Sequence, residues 1–559
     1  MSAISLVDLN VAYPQQQPLQ LAVQICLGIL GRPENVAKSG HRFYSYRSVE
    51  EDNNLEWLND TEPDVTATDI SVPAFLDECY ASGALKGYIK YNYTEQKAVI
   101  PNLVSMAAVM DSVILEDGDD GIGLDLVFDA TAEWKSFDAF DATTYMFENY
   151  IQNTTGLCKS NPGLDVHGNH PLNPPLTGDM NVGLMDFVVK NRLFNFFLNL
   201  GCAPGTAEHK LMEKIANYEG FKKPVTVWGY DDTFGAWAGD KFEAETDCVS
   251  EHNLGQVASN GFTNLAFFSQ SDPIEDELLQ NPGIDSLSFE KNKSYVSFII
   301  GDGDNLNIVK GQHKDWWEDR KEFCISGKNW PQYNITAENA CFPLVWTISP
   351  QLLDVAPAII QWYYDQAALT TADYFILPPS GHLYSYPGAM SAVDQNSYKA
   401  LTERDAQKMN ISGTVHWEWF SKWKSALSYF EKFSADENPI VNGFHLVNVP
   451  FVFPIEEIFG THDKKVLDDK VVLFKSREWR GCREKTHDKT LYSPDELAEE
   501  INGYSPGTVK SLYLTQDGGL NMTHVYELVG KLDLSKTVIV NQEDLVKMAL
   551  EAEKANEGA

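Results

Sequence analysis

The stretch YVSFIIGDGDNLN, residues 295–307, runs an apolar segment straight into Gly301, Asp302, Gly303, Asp304 and Asn305. The two glycines let a backbone turn sharply. Asp302 and Asp304 then lie at close range, with Asn305 as a neutral hydrogen-bonding neighbour. Close carboxylates split their pKa values, so that one stays ionised while the other holds a proton. That pair is equipment for general acid–base hydrolysis. The same Asp302 and Asp304 also suit a hard cation such as calcium or magnesium, although no cofactor is required. The plainest alternative is a capped turn, for which Asp, Gly and Asn are ordinary residues.

A second group lies in FILPPSGHLYSYPG, residues 375–388, where an apolar run opens into a loop carrying Gly381, His382, Tyr384 and Tyr386. A phenol ring has an apolar face and a polar rim, which matches a pyranose ring. Displayed on a loop, Tyr384 and Tyr386 would grip a saccharide; turned inward, they would pin the loop. In FPLVWTISP, residues 342–350, Trp346 would floor a pocket or fill the core, with Ser349 beside it. Glu418, between tryptophans in GTVHWEWF, is a further general-acid candidate. Asp231 and Asp232 in VWGYDD follow an N-terminal strand, and Asn448, Arg477 and Glu478 end two C-terminal ones.

Positioning these residues falls to a run of short apolar segments. From about Lys291, eight candidate strands occur at 295–300, 342–347, 374–377, 413–416, 443–447, 470–474, 511–514 and 537–540. Most are continuously apolar, as strands covered on both faces should be. Between them, 352–369 and 419–433 have helical spacing. Ser493-Pro494-Asp495-Glu496 reads as a capping box, and Asn541 as the cap of a last helix. The expectation is an α/β chain whose C-terminal part, residues 285–559, is a (β/α)8 barrel-like domain with its chemistry at the strand exits. Residues 1–284 predict one or two smaller α/β domains, split near 130–180. Helices are expected there at 19–30, 72–82, 186–200 and 207–218, and strands at 87–91, 112–115, 125–128, 225–228 and 264–268. The Pro/Gly/Asn segment 161–178 predicts a long loop.

The chain has 559 residues, with 80 acidic against 43 basic side chains and a net charge of −37. Such a surface repels phosphate backbones, so nucleic acid is not an expected partner. No apolar run is long enough for a membrane span. Walker loops, G-x-S-x-G, H-E-x-x-H and G-x-G-x-x-G after a strand are absent. Eight cysteines (26, 79, 158, 202, 248, 324, 341 and 482) form no C-x-x-C pair. Their even number fits disulfides, Cys324 with Cys341 as a local pair, or else buried thiols. Seven Asn-x-Ser/Thr sites, at Asn59, Asn92, Asn153, Asn292, Asn334, Asn410 and Asn521, lean towards a secreted, glycosylated protein. The N-terminus does not read as a signal peptide.

With these residues in view, the chain resembles the GxGYxYP family of putative glycoside hydrolases. The name describes a loop G-x-G-Y-x-Y-P, here Gly381-His382-Leu383-Tyr384-Ser385-Tyr386-Pro387, with Leu383 where the motif has its second glycine. The DGDN strand exit, Asp302 to Asn305, and W-x-I-S-P, Trp346 to Pro350, agree in order and spacing. The resemblance covers roughly residues 285–550 and implies a carbohydrate substrate. The family's catalytic residues are not carried over, only its matched motif positions as pocket-forming residues; taken with the reading of the residues, the working expectation is Asp302, Asp304 and Glu418 catalytic, with Asn305, Trp346, Ser349, Gly381, His382, Tyr384, Tyr386 and Asp232 around the saccharide. A non-catalytic carbohydrate-binding or structural protein is the alternative. So is a metal-dependent hydrolase on Asp302 and Asp304, with His382 or His416 nearby.

Overall fold

The computed structural model describes residues 3–9, 17–48, 53–119, 123–160, 182–229, 241–283, 287–418, 422–447, 456–482, 491–516 and 519–557. The segment 161–178 and Asp231, Asp232 and Asn448 lie outside these ranges. The chain divides into two compact units, Met1–Pro273 with Leu352–Ile359, and Ile274–Gln351 with Ile360–Ala559. Among the described residues, no helix is long and apolar enough to cross a membrane.

The first unit holds three small, wholly parallel sheets. Strands β1 (Ala3–Asp8), β2 (His41–Tyr46) and β3 (Ala67–Ile70) pair in the order β2-β1-β3. Strands β4 (Gly87–Tyr91), β5 (Ser112–Glu116) and β6 (Leu126–Asp129) pair as β5-β4-β6. Strands β7 (Leu157–Lys159), β8 (Phe194–Phe196), β9 (Val225–Trp228) and β10 (Leu254–Val257) pair as β10-β9-β7-β8. The core is built on helix Gln17–Leu30, buried over most of its length and stapled by Cys26–Cys79. A second disulfide joins Cys202 and Cys248.

Two expected elements differ. The helix expected over 186–200 ends at Lys190, because Arg192 turns left-handed (φ +52°) and the chain enters β8. The strand expected over 264–268 is a helical turn, Leu265–Phe268. There Asn264 uses its side-chain amide as a strand would use its backbone: Oδ1 accepts from the Ser45 N–H at 2.8 Å and Nδ2 donates to the Ser45 carbonyl at 2.7 Å.

The second unit contains all eight expected strands within a residue or two. They are β11 (Ser294–Ile300), β12 (Leu344–Thr347), β13 (Asp373–Ile376), β14 (Gly413–His416), β15 (Gly443–Leu446), β17 (Val471–Lys475), β19 (Val509–Leu514) and β20 (Thr537–Ile539). Two more, β16 (Lys464–Leu467) and β18 (Arg477–Trp479), were not anticipated. A (β/α)8 barrel-like domain was expected; among the described residues the strands form no closed barrel. One sheet runs β13-β12-β11-β19-β18, with β20 also on β11, and the other β14-β15-β17-β16. The ladder breaks after β13, where only the Leu377–Thr414 bridge continues it, and at Ser476, between β17 and β18. Among the described residues, the ladders between these strands are parallel except β16 with β17, so the exits of the parallel strands of each sheet share a rim.

The helical stretch 352–369 divides into Leu352–Val355 and Pro357–Thr370, since Pro357 has no N–H to continue the ladder. Ser493 and Glu496 form the expected capping box, and the Asn541 side chain accepts the Asp544 N–H at 2.8 Å. Cys324 and Cys341 are disulfide-bonded as a local pair, while Cys158 and Cys482 are free.

Candidate functional site

The acidic turn leaves the end of β11 clamped by its two neighbours in the sheet. Gly301 N–H donates to the Leu514 carbonyl of β19 at 2.8 Å, and Asp302 N–H to the Tyr513 hydroxyl at 3.0 Å. On the β12 side, Gly303 N–H donates to Thr347 Oγ1 at 2.9 Å, and that hydroxyl donates to the Ile300 carbonyl at 2.9 Å. Asp302 itself is left-handed (φ +64°), a conformation Asp tolerates better than most residues. Asn305 closes the turn as the cap of helix Leu306–Lys310, accepting the Asn307 N–H at 3.0 Å.

Gly303 is required by space: a Cβ there would lie 2.0 Å from the Thr347 carbonyl oxygen. Gly303→Ala is therefore expected to destabilise the protein by about 1–3 kcal/mol or more, because backbone must move to admit the methyl. Thermal unfolding checks this; an unchanged Tm would show that the turn is not clamped.

The two aspartates sit in different surroundings. Asp302 Oδ2 accepts the Gln516 N–H at 2.5 Å, and its Oδ1 lies 3.4 Å from the Tyr513 hydroxyl. Both neighbours are donors, the set that a carboxylate anion accepts. Asp304 is half-buried, and loss of water pushes its carboxyl up to about 7, against a small opposing pull from its own N–H. The Tyr513 phenol is raised well above 10, first by burial and then by the charges of Asp302, Asp304 and, more weakly, Glu478.

Behind the turn, His313 is buried and held neutral, its pKa lowered to about 4 by burial. Its Nε2 meets the Thr347 carbonyl at 3.0 Å, and its Nδ1 meets the Gln516 side-chain amide at 2.9 Å. The Gln516 atom facing Nδ1 is Oε1, an acceptor like the Thr347 carbonyl, and a neutral ring has one N–H for the two of them.

The phenolic loop leaves β13 at the same rim as the acidic turn. Its tyrosines are turned inward rather than displayed: Tyr384 is 3% exposed and Tyr386 fully enclosed, their hydroxyls 3.4 Å apart. Trp417, at the exit of β14, joins the two groups. Its ring is edge-on to Tyr384 (centroids 5.7 Å) and to Tyr513 (6.0 Å). Trp417 is itself half-buried, and its indole N–H finds no acceptor among the described residues.

Gly381 (φ +104°) is needed where it stands, since a Cβ would meet Thr402 Cγ2 at 2.6 Å. Leu383 has no left-handed backbone to accommodate, so a side chain fits there. It is buried, and its N–H donates to the Tyr398 hydroxyl at 2.9 Å. His382 is buried with Nδ1 2.5 Å from Asp405 Oδ2.

Residues 324–449 match the GxGYxYP putative glycoside hydrolase C-terminal domain. The matched segment contains the phenolic loop, Trp346, Trp417 and Glu418; the Asp302–Asn305 turn precedes it and Glu478 follows it. Among solved structures, the chain is similar to one described as a putative hydrolase from Bacteroides thetaiotaomicron VPI-5482. The TM-score is 0.71, covering 99% of this chain and 95% of that one at 18% identity, a likeness of fold. A putative polysaccharide deacetylase from Mycobacterium smegmatis aligns over 50% of this chain and 96% of its own at 11% identity. Its TM-score is 0.29. No curated protein matches.

Within and around the GxGYxYP segment, several candidate residues serve as supports. Trp346 is fully buried and donates its indole N–H to Asp373 Oδ1 at 2.8 Å. Ser349 accepts the Gln351 N–H at 3.3 Å. Glu418 is fully enclosed. Its Oε1 accepts the Gly388 N–H at 2.7 Å and lies 2.8 Å from Nε2 of His416, which burial keeps neutral with a pKa of about 3. Glu418 thus anchors the phenolic loop. Arg477 pairs with Glu500 at 3.4 Å and lies over the Tyr492 ring. Among the described residues, no group of three His, Cys, Asp or Glu is gathered as a metal site.

Tyr513, Trp417, Thr347, His313 and Gln516 were not singled out by sequence reasoning. The one available signal was position, since Tyr513, Trp417 and Gln516 lie at or just past the end of an apolar strand.

Proposed function

We propose that the second unit hydrolyses a glycosidic bond, with Asp304 as the proton donor and Asp302 as an ionised carboxylate beside it. One observation carries this reading. Two carboxyls one residue apart have opposite surroundings, Asp302 against hydrogen-bond donors and Asp304 desolvated to about 7. A general acid needs a proton at working pH, and a carboxyl acquires one only in such a setting. The match of residues 324–449 to a domain named for glycoside hydrolysis supports the choice of bond. Trp417, half-buried beside Tyr513, is the ring placed to stack on a sugar. A net charge of −37 favours neutral or cationic glycans over polyanionic ones. Three disulfides fit an oxidising compartment, so secretion is part of the proposal.

The test is reducing-sugar release from a panel of polysaccharides and 4-nitrophenyl glycosides, followed by a pH profile on any substrate cleaved. Asp304 must be protonated to act. The expected kcat/KM is therefore sustained below pH 7 and falls about tenfold per pH unit above it. A profile flat from pH 5 to 9 would remove Asp304 from the acid role.

A further inference from the structure

Two aspartates in one turn leave the other half of such a reaction unassigned, and Glu418 is enclosed against the phenolic loop. The sheet offers a third carboxylate. β18 and β11 flank β19 on opposite sides. In the β18–β19 ladder Glu478 is paired with Tyr513, and in the β11–β19 ladder Tyr513 is paired with Ile299. Paired residues of parallel strands point to the same face, and every second residue along a strand does so too. The bond between the hydroxyls of Ser476 and Ser511, 2.7 Å apart, lies two residues before Glu478 and Tyr513 and confirms that shared face. Thr515, two residues beyond Tyr513, donates its hydroxyl to Glu478 Oε1 at 3.2 Å. The face that carries Tyr513 towards Asp302 therefore carries Glu478 as well.

We propose that Glu478 is the second catalytic carboxylate, the base that activates water across Tyr513 from Asp304. This rests on the hydrolase reading of the site. Two strand spacings separate the backbones of β11 and β18, roughly 10 Å. Inverting enzymes hold their two carboxyls about 6.5–9.5 Å apart, which leaves room for a water molecule. In the step, Glu478 takes a proton from water as the water oxygen bonds to the anomeric carbon. The glycosidic C–O bond breaks, and Asp304 passes its proton to the departing oxygen. The Thr515 hydroxyl holds Glu478 in place.

The experiment uses the full chain and the same glycan panel, comparing wild type, Glu478→Gln, Glu478→Ala and Asp304→Asn. Glu478→Gln keeps the shape of the side chain, and an unchanged Tm identifies it as folded. Turnover by this variant is expected to fall at least 100-fold. The first sugar released by wild type should have the inverted anomeric configuration. Sodium azide should restore turnover to Glu478→Ala, giving a glycosyl azide as the C–N bond forms and Asp304 protonates the leaving group. A purely structural role for Glu478 would show no azide rescue. Glu478→Gln with more than a tenth of wild-type turnover, beside an inactive Asp304→Asn, would overturn the role of Glu478 and leave the hydrolase reading intact. Retention of configuration would overturn the base assignment. No cleavage of any panel member by wild type would overturn the hydrolase reading and this inference with it.

Discussion

Asp304→Asn is expected to lower turnover by two to four orders of magnitude while making the folded protein more stable at alkaline pH. The loss follows from removing a positioned proton donor, an effect typically worth about 10²–10⁴-fold. The gain follows from linkage. Asp304 has a folded-state value of about 7 against an ordinary 3.8. Between those values the folded state holds a proton that the unfolded state releases. Its contribution to stability is fully present below about pH 4 and is lost as pH rises through 7. The gap between the two values sets a ceiling of roughly 4 kcal/mol. An asparagine cannot ionise, so the Tm of Asp304→Asn relative to wild type should rise between pH 4 and pH 8. Calorimetry at those two values checks it. Parallel Tm curves would mean that Asp304 titrates as an ordinary surface carboxylate.

A second large effect is expected far from solvent. Arg320 and Asp373 are both fully buried and face each other at 3.2 Å. Arg320 also donates to the carbonyls of Ala340 and Phe342 and to the Tyr526 hydroxyl. Burial alone would lower the guanidinium pKa; the charge of Asp373 and the Tyr526 contact raise it above its ordinary value instead. Asp373→Ala leaves that cation in the core without its counter-ion and should cost about 3–5 kcal/mol. The double variant Arg320→Met, Asp373→Ala removes both charges and should recover much of the loss. Urea unfolding at constant m-value measures both. The damage should also reach the site, because Trp346 bonds to Asp373 and is followed by Thr347, which clamps the acidic turn. A single variant within 1 kcal/mol of wild type would mean that water reaches Arg320.

The eight main strands of the second unit were legible because each is a nearly continuous apolar run bounded by turn residues. The three sheets of the first unit were less so. Strands such as His41–Tyr46, HRFYSY, alternate polar and aromatic residues, and β7 and β8 are only three residues long. Cys324–Cys341 is close in sequence, whereas Cys26–Cys79 and Cys202–Cys248 span separations of 53 and 46 that no pattern marks.

At the site, Asp302 and Asp304 could be found from a strand ending in Gly-Asp-Gly-Asp. Which of them holds a proton could not, since Asp302 is bonded by Tyr513 and Gln516, more than 200 residues away. The inward turn of Tyr384 and Tyr386 was equally hidden. It depends on Glu418 taking the Gly388 N–H and on Trp417 standing between the loop and β19.

Asp304 is expected to keep its proton up to about pH 7. Difference infrared spectra between wild type and Asp304→Asn, recorded from pH 4 to 9, report the carboxylic-acid C=O stretch of that one side chain. The band should be present at pH 5 and vanish with a midpoint near 7. A midpoint near 4 would contradict the account.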